Sequence, residues 1–422
     1  MKKMNANKWF GIAASGALLA GLVQVAPSFA ASHKAAPRKA APVIHLTLGQ
    51  WSSSPAEHQL VLNQVALFMK ENPGIDVSVR VVTGNYLQVM QPMLASHTAP
   101  DVFYVDSSYA PQLAASGVIM PLNHLIAQDH VAVKDFYPNL VKAFTYRGTI
   151  YGLPKDFNTL ALESNPVLLA KAGIKTPPAT WAQFAADAAK LKAKGIVPIS
   201  FPIDVARYYP FIRDMGGSYY NTSRALATFP NKNNFAGLNW FMQMNEKGYF
   251  VNPTLQGASW GGQVFAEGRA AMTAEGAWIV PSQQSTAPKM KYNITNFPTL
   301  NGHDSNMVYT VAYEMAKATK YPAAAAKLLF FMTGPQALAM TAKSGIAMPA
   351  RKSQEPLFLK DWPSYKAFVN GVKDAYPYQF GLLGQNFVNA INNATQAGIL
   401  KHQSAQTVLG NAASTLSSQS NY

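Results

Sequence analysis

Apolar and polar positions alternate along the chain in two different rhythms. Residues 43–49 read VIHLTLG, a β-rich and partly alternating run that predicts a strand. Trp51 and a Ser-Ser-Ser-Pro turn follow, and from residue 55 to 71 the side chains Leu60, Val61, Val65, Phe68 and Met69 recur at near-helical spacing until Asn72-Pro73-Gly74 breaks the pattern. A strand over 76–82, a helix over 86–95 and a strand over 101–105 continue the sequence. Strands alternating with helices at this rhythm imply an α/β lobe with a largely parallel sheet. At residues 145–154 the pattern changes to TYRGTIYGLP, which has hairpin character, and helices resume over 165–172 and 180–194 in what reads as a second lobe. Thr180 is followed three residues later by Gln183, the signature of a capping box, so Thr180 is expected to cap the second of these helices. A strand over 308–316, a helix over 322–332 and further apolar-periodic helices complete the chain. There is no tandem repeat.

The amino end follows neither rhythm. Lys2, Lys3 and Lys8 precede an uncharged stretch from Trp9 that ends in Ser28-Phe29-Ala30, a small-x-small cleavage pattern. Residues 1–30 therefore read as a secretory signal peptide, and residues 31–42, rich in Ala, Pro and bases, as a tether with nothing to offer a core. The remaining chain exceeds what one hydrophobic core usually serves, and with 49% apolar residues two lobes are expected. The absence of cysteine excludes disulfides, thiolate catalysis, Cys-based zinc sites and anchoring through a lipidated cysteine. Only 13% of residues are charged, and 35 bases face 20 acids. The bases are scattered and form no nucleic-acid signature, so attraction to anionic surfaces, or work in an acidic medium, suits this charge better.

Several blocks carry a resemblance. They are Phe68-Met69-Lys70-Glu71-Asn72-Pro73-Gly74-Ile75; Ala99-Pro100-Asp101-Val102-Phe103 with Asp106; Gly117-Val118-Ile119-Met120-Pro121-Leu122; Tyr151-Gly152-Leu153-Pro154-Lys155-Asp156; Lys171-Ala172-Gly173-Ile174 with Pro177-Pro178-Ala179-Thr180-Trp181; and Phe265-Ala266-Glu267-Gly268-Arg269-Ala270-Ala271-Met272 leading to Gly276-Ala277-Trp278. In this order and spacing they resemble the family 1 extracellular solute-binding proteins, the group that contains the maltose- and maltodextrin-binding proteins, over nearly all of the chain after residue 42. The resemblance implies an α/β, two-lobed periplasmic-binding-protein-like fold of type II with the ligand cleft between lobes. It implies lobes of 43–154 with 310–350 and of 155–309 with 351–422. It also implies an exported, monomeric protein that hands a carbohydrate to the membrane permease subunits of an ABC importer, needs no cofactor and catalyses nothing. Two departures leave the particular sugar open: Leu162-Glu163-Ser164-Asn165 stands where relatives have Tyr-Tyr-Asn-Lys, and serines occupy positions 52–54 where several relatives have charges.

A pyranose offers an apolar C–H face and a rim of hydroxyls, so its site needs aromatic surfaces together with carboxylates, amides or arginine. Trp278 is the first candidate, since the aromatic of this Gly-x-Trp element lies under a sugar ring in relatives. Trp51 follows the first strand, where open α/β sheets bind ligands, and Trp260 follows a helix break. Asp106 matches an acidic hydroxyl acceptor of relatives. Asp156 and Asn158 flank the first crossing between lobes, Tyr208 lies in the run Asp204, Arg207, Tyr208, Tyr209, and Arg351 stands at the last crossing. Trp181, Trp240 and Trp362 read as helix or core residues.

The rival readings are weaker. A glycosidase needs an acid and a nucleophile about 5 to 10 Å apart, and nothing around Asp106 and Asp156 singles out such roles. No H-E-x-x-H, P-loop or G-x-S-x-G motif is present, and the eight histidines are dispersed, so no metal site is proposed. A ligand-sensing receptor with the same cleft, or a binder of another solute such as glycerophosphate, remains open at the level of sequence.

Overall fold

The computed structural model describes residues 42–221, 226–227 and 229–419. The signal peptide read over 1–30 and all but the last residue of the tether fall outside that range. Residues 1–42 and 43–422 separate as two units, and the fold below is that of the second.

The helix Pro55–Glu71 has the bounds that its spacing predicts. Ser54 caps it by accepting from the Glu57 N–H at 3.1 Å, while the Glu57 carboxylate reaches back to the Ser53 N–H at 2.8 Å. Its apolar stripe buries Val61, Val65 and Phe68. The flanking strands Ile44–Gln50 and Ile75–Val81 pair in parallel, Ile44 opposite Ile75, and Val102–Asp106 joins the other edge with Leu48 opposite Val102. A helix packed between successive strands brings the chain back to the same end of the sheet, which is why they run parallel. The expected hairpin is also present: Thr145–Tyr146 pairs with Thr149–Ile150 through a turn whose central residues, Arg147 and Gly148, both have positive φ.

Two long strands join the halves of the molecule. Asn306–Met315 lies antiparallel to Val102–Asp106 on one side and to Gly152–Ser164 on the other. The latter strand, 13 residues long, gives its first part to this pairing and its last part to Ala270–Gly276 and Asn293–Asn296. Beyond Ala270–Gly276 come Val197–Ser200 and then Phe250–Val251, both parallel to their neighbours. Where the two long strands meet, Val311 pairs with Asp156 but Ala312 with Pro154, so Lys155 is an extra residue in a bulge.

Each half has its own core. One gathers Leu46, Leu48, Phe68, Tyr104, Leu153 and Tyr313. The other is aromatic and centred on Trp181, wholly buried and edge-on to Phe184, Phe201, Phe211 and Phe250. Trp181 opens the helix Trp181–Ala193, where the capping box forms as expected: Thr180 Oγ1 accepts from the Gln183 N–H at 3.0 Å and the Gln183 amide oxygen accepts from the Thr180 N–H. Phe358, Tyr365, Phe368 and Val372, which the sequence places with the second lobe, pack into the first core. Among the described residues no helix is long and apolar enough to cross a membrane.

Candidate ligand-binding site

Polar side chains line up where the two long strands cross between the halves. Asp106 and Asp156 both pair with Val311, and Asn158 pairs with Tyr309 two residues away. Partners on antiparallel strands share a face, as do residues two apart on one strand. Asp106, Asp156, Asn158 and Tyr309 are thereby set on one side of the sheet. Asp106 is half-buried and accepts from the Ser108 N–H at 2.8 Å. Burial pushes its carboxyl up, against the pull of Ser108. The bulge turns Lys155 over the Tyr104 ring, 4.5 Å from its centre, where it forms ion pairs with Asp156 and, at 3.6 Å, with Glu57. Burial alone would lower the Lys155 amine; the two carboxylates hold it above its usual value. Trp51 stands edge-on to Tyr104 and Tyr86, at 5.0 and 4.9 Å, so the end of the first strand meets the same cluster.

A second cluster adjoins it from the other half. Asp204 caps the helix Val205–Asp214, accepting from the Ala206 N–H at 2.9 Å and from Asn392 at 3.1 Å. In the first turn of that helix Arg207 donates to Glu275 at 2.7 Å and to the Tyr309 hydroxyl at 2.8 Å, and Tyr309 donates in turn to the Ala206 carbonyl. Trp278 donates its indole N–H to the same Glu275 oxygen at 3.2 Å. Its ring presses against Gly276, where a Cβ would come within 2.3 Å of it, and its edge meets Tyr309 at 5.5 Å. The Arg207 guanidinium lies 5.4 Å from the centre of the Trp278 ring. Asn158 ties the two clusters together by accepting from the Ala277 N–H at 2.8 Å. Tyr378 packs 5.5 Å from Tyr309, within the field of Asp204, Asp106 and Arg207.

The charges in this cluster are unevenly balanced. Burial would lower the Arg207 guanidinium, but the adjacent Glu275 raises it, so it stays charged. Glu163, wholly buried, accepts from the Glu275 N–H at 3.0 Å. Burial and then the charge of Glu275 push Glu163 well above the carboxylate range, so it is held neutral. The result is one cation and one anion locked beside a half-buried indole, with further hydroxyl and carboxylate groups around them. That combination suits a ligand with an apolar face and a hydroxyl rim.

The structure brings together Trp51, Asp106, Asp156, Asn158 and Trp278 from the sequence expectations. Trp260 is half-buried against Gly262, at the start of the helix Gly261–Ala266, and Gly261 sits beside the free Glu275 oxygen. Two expectations are corrected. Tyr208 is wholly buried, stacked on Phe241 at 4.6 Å with its hydroxyl on Thr395, because the helical turn that presents Arg207 points its neighbour into the core. Arg351 is 3% exposed and bound to the Thr333 and Ala132 carbonyls and to Asp135, so it ties loops together. Glu275 and Tyr378 were not singled out in the sequence, although Glu275 is the only charge in the apolar strand AAMTAEG.

Comparison with known proteins gives the family and the fold. Residues 50–339 match the bacterial extracellular solute-binding protein family, and the chain belongs to that family. A binding protein of Brucella abortus strain 2308 is 28% identical over 153 residues, 36% of this chain. The match spans 36% of that relative's own length. Among solved structures, an ABC substrate-binding protein of Listeria monocytogenes in complex with cycloalternan is 22% identical, with a TM-score of 0.75 over 90% of this chain and 100% of that one. A cyclic α-maltosyl-1,6-maltose binding protein of Arthrobacter globiformis is 18% identical, with a TM-score of 0.79 over 89% and 98% of the two chains. A cyclo/maltodextrin-binding protein complexed with maltotetraose, also 18% identical, gives 0.78 over 91% and 99%. The fold is thus the two-lobed one of the periplasmic binding proteins.

Proposed function

We propose that this protein is the exported carbohydrate-binding subunit of an ABC importer. It captures an oligosaccharide of the maltodextrin kind between its lobes and delivers it, chemically unchanged, to membrane permease subunits. The observation that carries this reading is the Trp278 platform, fixed by Glu275 and flanked by Arg207 and Tyr309. Trp51, Asp106, Asp156, Asn158 and Trp260 complete the proposed site, with Tyr378 added from the structure. The solved relatives named above that hold cycloalternan and maltotetraose support the sugar class. The lobes divide along the two long strands, near Pro154 and Tyr309, and closure over the ligand is a rotation about those crossings.

A thermal-shift screen over linear and cyclic glucans, other oligosaccharides and glycerophosphate tests the reading. A ligand bound only by the native state raises the melting temperature. An oligosaccharide that does so, and that contracts the molecule in small-angle scattering, supports it. A response to glycerophosphate alone would replace the ligand class, and no response to any sugar would refute it.

A further inference from the structure

A crevice of about 280 Å³ lies between the two lobes beside this cleft, and none of the residues assigned to the carbohydrate site lines it. It is walled by the helix Pro138–Ala143 and the following hairpin on one side and by the end of the helix Val205–Asp214 on the other, with the strand Ala375–Pro377 as floor. Lys142, Arg147 and Arg213 line it, and no carboxylate does. Among the described residues none of these three cations belongs to an ion pair. The nearest acid in sequence, Asp214, turns to the Ser305 N–H instead, and burial pushes it up to about 7.

Arg213 is held in place before any ligand arrives. Its guanidinium lies 3.9 Å from the centre of the Tyr376 ring and donates to the Gly217 carbonyl at 2.6 Å, while its Nε is buried with no acceptor. A buried donor left without an acceptor is costly, and a charged one more so. Arg147 stands exposed on the turn at positive φ, its guanidinium 5.3 Å from the centre of the Tyr146 ring. Tyr146, Tyr209 and Tyr376 supply aromatic wall between the cations. Three cations around a recess that no carboxylate lines concentrate anions in it. A doubly charged phosphoryl group matches forked and point cations together better than a single carboxylate does. Inorganic phosphate would leave most of the space and the tyrosine walls unused.

We infer that this crevice binds a small phosphate ester with a sugar-sized organic part, through residues other than those of the carbohydrate site. Titration calorimetry of the full chain at fixed ionic strength, using a hexose phosphate, inorganic phosphate and a hexuronate as probes, tests it. The hexose phosphate is expected to bind one to one and more tightly than either other probe. Lys142→Gln and Arg147→Asn, both at exposed positions, are each expected to weaken that binding about tenfold, the value of one hydrogen bond to a charged group. Asn is chosen at 147 because it tolerates positive φ. Trp278→Ala is expected to leave it unchanged. Absence of binding, equal binding of the hexuronate or of inorganic phosphate, indifference to both crevice substitutions, or loss on Trp278→Ala would each overturn the inference.

Discussion

The indole of Trp278 presses against the bare backbone of Gly276, close enough that a Cβ there would lie 2.3 Å from the ring. Two residues of one short segment therefore set each other's geometry, and the N–H of the indole on Glu275 fixes the remaining freedom. Gly276→Ala is expected to turn the ring away, changing the near-ultraviolet circular dichroism and weakening carbohydrate binding about tenfold, or about 1.4 kcal/mol. An unaltered spectrum with unaltered affinity would mean that the ring does not depend on Gly276.

Removing the ring itself has a larger effect. One stacked sugar face buries on the order of 100 Å², worth roughly 2.5 kcal/mol at about 25 cal/mol per Å². Trp278→Ala is expected to weaken binding by about one to two orders of magnitude, and because the side chain is only half-buried the fold is expected to persist. Calorimetry finding equal affinity, or a variant that does not fold, would assign Trp278 to the core.

Arg207 and Glu275 form an ion pair at 2.7 Å in which the Glu275 side chain is 1% exposed. Breaking one side of such a pair leaves a buried charge without a partner, at a cost of about 3 to 5 kcal/mol. Arg207→Met is expected to lose stability on that scale in denaturant unfolding. Adding Glu275→Gln is expected to restore part of it, since neighbouring groups are not additive. If the two losses simply sum, the pair is not coupled.

Most of the buried carboxyls shift in one direction. Burial raises Asp214 to about 7 and also raises Asp106, Glu163 and Glu314, whereas Asp135, where Ser353 and Arg351 outweigh burial, is lowered. A carboxyl whose folded value exceeds the unfolded value of about 4 binds its proton more tightly when folded. Its contribution is fully present below the unfolded value and is lost as pH rises through the folded one. The melting temperature is therefore expected to rise as pH falls from about 8 to 5, and Asp214→Asn is expected to flatten that slope and stabilise the protein at about pH 8. A melting temperature that falls steadily over the same range would show that other groups dominate.

Much of the architecture was legible in the sequence because it rests on local rules. Helix 55–71 follows from spacing and an Asn-Pro-Gly stop, and the Thr180 cap from two residues three apart. The site was only partly legible. Asp106 ends a strand and Trp278 closely follows one, positions that sequence order marks well. Tyr208 and Arg207 are neighbours in one run, and only the helical phase decides that the arginine faces the cleft while the tyrosine enters the core. Arg351 met its partners Thr333 and Asp135 from distant segments, which no local pattern reveals. Glu275 and Glu314 did leave a signal, each a lone charge inside an apolar strand.

The position of the strand Asn306–Met315 between Val102–Asp106 and Gly152–Ser164 also sets a timetable for synthesis. Both neighbours leave the ribosome long before the strand that is to separate them, and Asp106 waits about two hundred residues for Val311, a contact of high sequence separation that slows folding. Until residue 315 has emerged, the two parts of the sheet cannot be joined, and Val102–Asp106 and the first part of Gly152–Ser164 keep bare edges. A nonsense truncation upstream of residue 306 is expected to leave those edges open and the polypeptide prone to pair with copies of itself.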